Sequence, residues 1–366
     1  MRSSEGLEQE EEIVDSSQQL PAGPGTQEGW RVHAWGAEPV WEQFARPEPG
    51  PGEVLVQVEA CGVGLTVLNA LAGDLGDDPS ALPRVPGHEL VGRVVRAGSA
   101  EGEQLVGRRV VAYFYLACGS CRECAAGREP LCGRLAGNVG VVADGGYAPW
   151  TVLGVRQLVV VPDALGPVSA TVVPDAVATP LHVCALAQVR PGDRMAVIGA
   201  GGGVGAHLVQ VAALFGARVT ALDVHDGKLA ALAELGATPM RSDNFGQLDA
   251  ATWRDGPPTV VVDLVGTTDS LTWAASAVAA RGRVVVLTTF RDRRMSVDPR
   301  HMVHKETTLL GCRYASRREL MDAADLVLSG RVRPVIGMQG GPERVPDMHA
   351  ALRSGQLSGR GALVWP

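Results

Sequence analysis

The sequence has no excess of basic residues, no long apolar run and no secretion signal, and each of these absences excludes a class of protein. The formal net charge is −7, so the chain lacks the positive field that attracts nucleic acid or an anionic membrane. No stretch offers the roughly 20 consecutive apolar residues that span a bilayer. The N-terminus also lacks the order of charged and apolar residues found in a signal peptide. We therefore expect a cytoplasmic protein that acts on a small molecule rather than on nucleic acid or a membrane.

Length and charge distribution predict two folded domains behind an acidic tail. The 366 residues exceed what a single hydrophobic core usually serves. Residues 1–28 combine seven acidic residues and one arginine with Ser, Gln, Gly and Pro, a composition typical of disorder. The folded part is expected to begin near Trp30. Lysine occurs only at Lys228 and Lys305, and this scarcity beside abundant arginine is typical of a GC-rich bacterial genome.

Two hydrophobic periodicities divide the folded part near residue 190. Before it, short segments with strand-like patterns predict an all-β, barrel-like domain; they are residues 54–60, 110–112 and 158–161. After it, apolar strands alternate with amphipathic helices, which predicts a doubly wound parallel sheet. The predicted strands are 195–198, 218–222, 260–264, 283–287 and 307–311, and the predicted helices are 204–215 and 228–235. Beyond residue 316 the pattern predicts helix and loop, ending in a strand at 362–364.

A glycine-rich turn follows the first of these apolar strands. It reads Gly199-Ala200-Gly201-Gly202-Gly203-Val204-Gly205, a seven-residue variant of the dinucleotide-binding fingerprint, in which the backbone approaches a pyrophosphate at a helix N-terminus. Asp223 ends the next strand, where a carboxylate accepts hydrogen bonds from the adenosine ribose. Lys228 is within reach of the same ribose. Because Asp223 would repel a 2′-phosphate, we expect NAD(H) rather than NADP(H), although Arg218 and His225 nearby keep NADP(H) open.

Four cysteines cluster in a short segment with the spacing C-x2-C-x2-C-x7-C. They are Cys118, Cys121, Cys124 and Cys132. Four thiolates this close are typical of a closed tetrahedral structural zinc site. Without a secretion signal, metal is favoured over disulfides; disulfides and an iron–sulfur centre are the alternatives.

The order of these motifs resembles the zinc-containing medium-chain alcohol dehydrogenases over residues 29–366. Besides the cysteines and the glycine turn, the resemblance rests on Pro86-Gly87-His88-Glu89 and Gly145-Gly146-Tyr147. It implies a GroES-like β-barrel catalytic domain (29–183, with a zinc lobe at 118–132), a Rossmann NAD(P)-binding domain (184–315) and a return to the catalytic domain (316–366). It further implies an NAD(P)-dependent oxidoreductase, a homodimer joined through the strand at 307–311, and contact between Arg360 and the cofactor pyrophosphate.

The resemblance also implies a catalytic zinc site, which this sequence matches only in part. The family uses a cysteine, the histidine of Gly-His-Glu and a later Cys, Asp or Glu. His88, Glu89 and Asp175 stand at the matching positions. Two protein ligands hold zinc poorly, but Glu89 can serve as a third. In the absence of metal, His88 and Asp175 are expected to form a hydrogen-bonded pair.

The mismatch lies in one loop. The family pattern Cys-Gly-Val-Cys-x-Thr-Asp-x-x-His is here Cys61-Gly62-Val63-Gly64-Leu65-Thr66-Val67-Leu68-Asn69. Gly64 replaces the ligand, Val67 an acid beside the metal, and Asn69 the end of a proton relay, whereas Thr66, the proton-passing hydroxyl, is kept. Cys61 cannot substitute, because three extended residues displace it by about 10 Å.

Three functions are consistent with this pattern. The first is hydride transfer without catalytic zinc to a self-polarised C=C, C=N or carbonyl acceptor, with Thr66, Asp175 or His88 orienting the substrate or donating a proton. The second is a zinc-dependent alcohol dehydrogenase that uses His88, Asp175 and Glu89. The third is a nucleotide-binding protein without redox turnover. If the first holds, a cysteine at position 64 is expected to rebuild the metal site.

Overall fold

The computed structural model describes residues 25–248, 253, 255–290 and 292–366. Most of the predicted acidic tail, residues 1–24, lies outside the described residues. The predicted end of that tail at residue 28 is wrong, because the first strand begins at Thr26. This strand pairs antiparallel with the strand that begins at Val40, so pairing orders a segment whose composition alone indicates disorder.

The secondary structure alternates between β-rich and α/β segments. The strands in the described residues are β1 (Thr26–Arg31), β2 (Val40–Ala45), β3 (Glu53–Val63), β4 (Glu89–Ala97), β5 (Arg109–Ala112), β6 (Trp150–Gly154), β7 (Leu158–Val160), β8 (Arg194–Ile198), β9 (Arg218–Asp223), β10 (Thr238–Arg241), β11 (Val260–Asp263), β12 (Arg283–Val286), β13 (Thr308–Gly311), β14 (Ile336–Gly340) and β15 (Arg360–Val364). The helices there are α1 (Leu65–Leu71), α2 (Arg122–Ala125), α3 (Pro167–Ala170), α4 (Ala178–Leu186), α5 (Gly203–Leu214), α6 (Asp226–Glu234), α7 (Thr268–Ala277), α8 (Pro299–Lys305), α9 (Arg317–Leu328) and α10 (Val345–Arg353).

Strands β3 to β7 and the last two strands, β14 and β15, share one sheet, whereas in the described part of the chain β1 and β2 pair only with each other. Among the described residues its order is β14-β15-β3-β4-β5-β7, with β6 also paired to β3. The long strand β3 exposes Glu53 and Gln57 in its first half and is buried from Ala60 to its end. Strand β15 pairs antiparallel with that buried second half, from Gly361 opposite Val63 to Val364 opposite Ala60. The chain therefore returns to its first sheet at its very end.

The second sheet is parallel and carries the glycine turn. Its order within the described residues is β10-β9-β8-β11-β12-β13. Strand β11 is buried throughout and apolar up to Asp263, and β8 is buried after Arg194; such runs are typical of parallel sheets covered on both faces. The strand order reverses between β8 and β11, and ligands bind at the carboxyl ends of strands beside such a reversal.

Six strands of the described residues fall outside the segments that the sequence pattern predicts: β1, β2, β4, β6, β10 and β14. Two of them lie at the edges of the larger sheets. Strand β10 lies at the edge of the parallel sheet and reads Thr-Pro-Met-Arg. Strand β14 lies at the edge of the other sheet and reads Ile-Gly-Met-Gln-Gly. Edge strands are held by the backbone of a single neighbour, so they need not show the apolar periodicity that marks central strands.

A helical segment from Pro167 to Leu186 connects the two sheets. By length and composition it could cross a membrane, but 72% of its most apolar window is buried inside the protein. Polar residues such as Asp175 and His182 interrupt it, which is why no uninterrupted apolar run is seen in the sequence. Between α3 and α4 it contains a π-helical turn, Val173–Val177, which is buried throughout. Turns of this kind occur frequently at functional sites.

Candidate active site

The glycine turn and the acid after β9 lie together, as the sequence predicts. Asp223 accepts a hydrogen bond from the Gly201 amide (2.8 Å) and two more from the amides that follow it. A β-carbon on Gly205 would lie 2.6 Å from the carbonyl oxygen of Gly199, so only glycine allows α5 to pack this close to the turn. Lys228 is buried beside Gly201 and Asp223. Burial lowers the pKa of Lys228, although the charge of Asp223 opposes this shift.

The C-terminal segment places Arg360 between the glycine turn and the first sheet. The amide of Gly359 donates to the carbonyl of Gly201 at 3.0 Å. A β-carbon on Gly203 would lie 2.6 Å from Cδ of Arg360, so the side chain passes directly over the start of α5. Its guanidinium is directed away from solvent, and the residue is only 4% exposed. Arg360 therefore adjoins the glycine turn, where the resemblance implies a pyrophosphate, and extends from there into the catalytic cluster.

We use the name catalytic cluster for His88, Glu89, Asp175 and Arg360, which meet at the junction of the two sheets. Nη2 of Arg360 lies 2.8 Å from Oε1 of Glu89 and also contacts Oδ2 of Asp175. Nε2 of His88 lies 3.7 Å from Oε1 of Glu89 and 3.9 Å from Oδ2 of Asp175. At this separation His88 and Asp175 do not form the expected hydrogen bond, and Asp175 pairs with Arg360 instead.

Gly64 opens the space into which the arginine fits. A β-carbon built on Gly64 would lie 2.6 Å from Cζ of Arg360 and closer still to Nη1. The backbone of Gly64 is extended, with φ −135° and ψ 174°, a conformation open to any residue. Glycine is required here because a guanidinium occupies the place of a side chain.

The other residues of this loop lie around helix α1. Thr66 is half-buried in the first turn of α1, and its hydroxyl forms no hydrogen bond with a described residue. Val67 is buried and Asn69 is half-buried. Sγ of Cys61 lies close to Gly87 and Gly146 and is not among the grouped metal-ligand atoms of the catalytic cluster. The structure thus brings His88, Glu89, Asp175 and Arg360 together, whereas no described contact links Thr66 to them.

Charge within the catalytic cluster is unequally divided between the two acids. Burial raises the pKa of Glu89 to about 8, against the charge of Arg360, and the neighbouring Asp175 adds to the rise. Burial alone would also raise the pKa of Asp175, but the charge of Arg360, the nearby His88 and a hydrogen bond from Thr179 outweigh it and hold this pKa well below its usual range. Oγ1 of Thr179 donates to Oδ1 of Asp175 at 2.7 Å. One carboxylate therefore neutralises the guanidinium, and the other acid tends to remain protonated.

The four cysteines form a compact lobe at the surface of the first sheet. Their sulfur atoms are separated by 3.5 Å (Cys121 to Cys124), 3.8 Å (Cys121 to Cys132) and 4.0 Å (Cys118 to Cys124). None of the four is in a disulfide. A tetrahedron of sulfurs about 2.3 Å from a zinc ion has edges of about 3.8 Å. The lobe therefore has the dimensions of a four-thiolate zinc site.

Comparison with known proteins identifies the family. Residues 50–163 match the model of the alcohol dehydrogenase GroES-like domain, and residues 203–329 match the model of the zinc-binding dehydrogenase. An alcohol dehydrogenase of Geobacillus stearothermophilus is 32% identical over 322 residues, which are 87% of this chain and 94% of that protein. The chain belongs to the zinc-type medium-chain alcohol dehydrogenase family. It is accordingly an NAD(P)-dependent oxidoreductase of the alcohol dehydrogenase type.

Solved structures of medium-chain dehydrogenases agree with the fold. An acetophenone reductase from Geotrichum candidum in complex with NAD is 28% identical, with a TM-score of 0.82 over 93% of this chain and 97% of that one. A zinc-binding dehydrogenase from Sinorhizobium meliloti bound to NADP is 27% identical, with a TM-score of 0.82 over 93% and 100% of the two chains. The predicted combination of a GroES-like and a Rossmann domain is confirmed. Both nicotinamide cofactors occur among these relatives.

One part of this dehydrogenase's site could not be found by motif. Tyr314 follows β13, and its hydroxyl is buried without a hydrogen-bond partner among the described residues. An unpaired buried donor costs about 1–3 kcal/mol. Burial raises the pKa of Tyr314 well above its usual value, with a further contribution from Asp175. The only sequence signal is composition, because three of the chain's four tyrosines meet here: Tyr113, Tyr115 and Tyr314.

Proposed function

We propose that this dehydrogenase transfers hydride from NAD(P)H to an acceptor that is polarised by its own structure, without a catalytic zinc. Enones, quinones and iminium ions are acceptors of this class. The observation that carries the proposal is the position of Arg360. Its guanidinium fills the space beside Gly64 and pairs with Glu89 and Asp175.

The charges in the catalytic cluster favour this interpretation over a metal site. In the family a metal dication sits among these ligands, and here the fixed cation of Arg360 already contacts both acids. A zinc ion held by His88 and Asp175 would approach that cation in a water-poor environment, where like charges repel strongly. It would also lack the third protein ligand that catalytic zinc sites usually have. The residues present therefore fit a guanidinium better than a metal.

The zinc-dependent alternative rests on one observation. His88, Glu89 and Asp175 each direct a ligand atom into a common space, with all three atoms within 4.8 Å of one another. If Arg360 moved toward a cofactor pyrophosphate, those atoms would be free for a metal. Zinc content decides between the two functions.

Within the proposed reaction, the described residues bind and orient the reactants. The glycine turn and the start of α5 would hold the pyrophosphate of the nicotinamide cofactor, which supplies the hydride. Asp223 and Lys228 would contact the adenosine ribose. Hydride addition moves an electron pair onto the acceptor's heteroatom, and that atom then takes a proton. Thr66 and His88 are the candidate proton donors on the side of α1 and β4.

Two further assignments belong to this proposal. We propose that Cys118, Cys121, Cys124 and Cys132 hold one structural zinc, since their geometry fits a tetrahedral site. We also propose a cytoplasmic homodimer joined through β13. That strand is an edge of the parallel sheet, and an uncovered edge strand can pair with a second copy.

The zinc content of purified variants tests the absence of a catalytic metal. We expect about one zinc per chain in the native protein and also in Gly64→Cys, because the new side chain would meet Arg360. This revises the expectation that a cysteine at position 64 rebuilds the site by itself. The double variant Gly64→Cys/Arg360→Ala should bind about two zincs, and Gly64→Ala/Arg360→Ala, which lacks the new thiol, should bind one. Two tightly bound zincs in the native protein would contradict the proposal.

Cofactor preference is tested at Asp223. We expect NADH to bind at least about tenfold more tightly than NADPH, because the buried carboxylate repels a 2′-phosphate; this corresponds to about 1.4 kcal/mol. Fluorescence titration of each cofactor gives the ratio, and Asp223→Ala should bring it close to one. Equal or tighter NADPH binding by the native protein would show that this carboxylate does not set the preference.

A further inference from the structure

The aromatic residues near the catalytic cluster are concentrated far beyond their share of the sequence. Aromatic residues make up 4% of the chain. The ring of Tyr314 nevertheless lies 5.7 Å from that of Tyr113, 5.6 Å from Phe114 and 5.5 Å from Tyr115. We call these four residues the aromatic wall. It joins the segment after β5 to the segment after β13, and so spans the two sheets.

The aromatic wall adjoins the catalytic cluster. The ring of Phe114 lies 4.7 Å from the ring of His88. Tyr314 also lies within the electrostatic influence of Asp175 and Glu89. A substrate that reached His88 would therefore lie beside these rings, and flat conjugated molecules pack on aromatic rings in offset or edge-on arrangements.

The hydroxyl groups of the wall differ in one respect. The hydroxyl of Tyr113 donates to the carbonyl of Ala315 at 2.9 Å, and that of Tyr115 accepts from Nε of Arg313 at 3.1 Å. The hydroxyl of Tyr314 has no partner in the part of the chain that the structure describes, although the residue is only 9% exposed. Buried polar groups in native proteins nearly always have a partner.

The backbone of Tyr314 is also unusual. Its φ is +57°, in the left-handed region that bulky residues rarely adopt. Such conformations persist where the surrounding structure imposes them, and they concentrate at functional sites. The hydroxyl on this strained residue finds no partner among the described residues, which is consistent with a partner supplied by a bound substrate.

We propose that the hydroxyl of Tyr314 donates a hydrogen bond to the carbonyl oxygen of a flat aryl-conjugated substrate that packs on the aromatic wall. This rests on the proposed zinc-free function and names its substrate class. As hydride reaches the conjugated carbon, negative charge moves to that oxygen, and a fixed donor in a water-poor site stabilises it. The phenol remains protonated at neutral pH and acts as a hydrogen-bond donor throughout.

Binding of an inert analogue tests the proposal independently of turnover. The probe is cinnamamide, whose aryl group and conjugated carbonyl match the proposed substrate, titrated calorimetrically into the enzyme saturated with NADH. We expect Tyr314→Phe, which keeps the ring, to weaken cinnamamide binding about tenfold while leaving NADH affinity and zinc content unchanged. Butyramide, which lacks the aryl group and the conjugation, should bind at least about tenfold more weakly than cinnamamide.

The matched control is Tyr147→Phe, which removes a buried hydroxyl that is already bonded to Nε2 of His349 at 3.0 Å. It should leave cinnamamide binding unchanged. With benzylideneacetone as substrate, Tyr314→Phe should lower kcat about 100-fold, whereas Tyr147→Phe should change it less than twofold. Unchanged cinnamamide binding in Tyr314→Phe, or no binding to the native enzyme, would overturn the assignment. Failure of the proposed function appears separately, as a second zinc per chain.

Discussion

The cysteine lobe and the catalytic cluster are the two regions where the family carries metal, and they differ in how they are assembled. The lobe takes all four of its cysteines from residues 118–132. The cluster takes its side chains from β4, the π-helical turn and β15, around a space left open by Gly64. A site made by one loop is kept or lost as a unit. A site drawn from distant segments can be rebuilt when one position changes, because a neighbouring side chain can enter the space.

The largest expected effect is in the lobe. Cys121→Ser should remove the structural zinc and lower stability by several kcal/mol, because closed thiolate sites contribute directly to folding. The midpoint temperature of thermal unfolding and the zinc content should fall together, before the affinity for NADH changes. Ser120→Ala, one residue away on the exposed side of the lobe, is the control and should keep its zinc. Retention of full zinc and stability in Cys121→Ser would mean that the four sulfurs do not form a metal site.

A smaller effect distinguishes glycines in the two regions. Gly64→Ala should cost about 1–3 kcal/mol, the range for overpacking a buried site, because its β-carbon would overlap the guanidinium of Arg360. Gly133→Ala in the lobe should change stability by less than about 1 kcal/mol, since a β-carbon there meets no atom within 4 Å. Denaturant unfolding gives both values. In an Arg360→Ala background the cost of Gly64→Ala should largely disappear, and a cost that persisted would assign the glycine another role.

The smallest expected effect is a loss of stability at acid pH, and it comes from a histidine beside the glycine turn. Nδ1 of His207 donates to the carbonyl of Gly203 (2.7 Å), and Nε2 accepts from the amide of Val335 (3.0 Å). Burial lowers the pKa of His207 to about 4, so the unfolded state binds the proton first as pH falls. Stability from this residue is complete above pH 6.5 and is lost toward pH 4.

The comparison of native protein with His207→Gln isolates this contribution. Between pH 7.5 and 5 the native protein should lose on the order of 1 kcal/mol more than the variant. The thiolates of the lobe respond to acid equally in both proteins, so the difference reports on His207. His33→Gln, on a half-exposed side chain, should behave as the native protein does. An equal loss of stability between pH 7.5 and 5 in the native protein and in His207→Gln would exclude this mechanism.

The fold class follows from the sequence, whereas the arrangement of the candidate site follows from it only in part. Local spacing in the sequence is enough to predict the glycine turn, Asp223 and the four cysteines. The residues that surround each of them in space are also close to it in the sequence. The loss at Gly64 was equally visible. The sequence does not predict that Arg360 fills the space beside Gly64. Arg360 is far from Gly64 in the sequence, and only the pairing of β15 with β3 brings the two together. Tyr314 was missed for the same reason, since its partners follow β5 and no motif links the two segments.

The π-helical turn at Val173–Val177 makes the catalytic cluster depend on residue number as well as residue type. A π turn accommodates one residue more than an α-helix over the same length, and successive residues of an α-helix are rotated by about 100°. Deleting Ala176 or Val177 from this turn would rotate Asp175 by about 100° relative to α4 and swing it away from Arg360 and Thr179. Every residue of the cluster would survive in the sequence, yet the guanidinium would lose a carboxylate. A one-residue length change here is therefore a stronger indicator of altered chemistry than most substitutions.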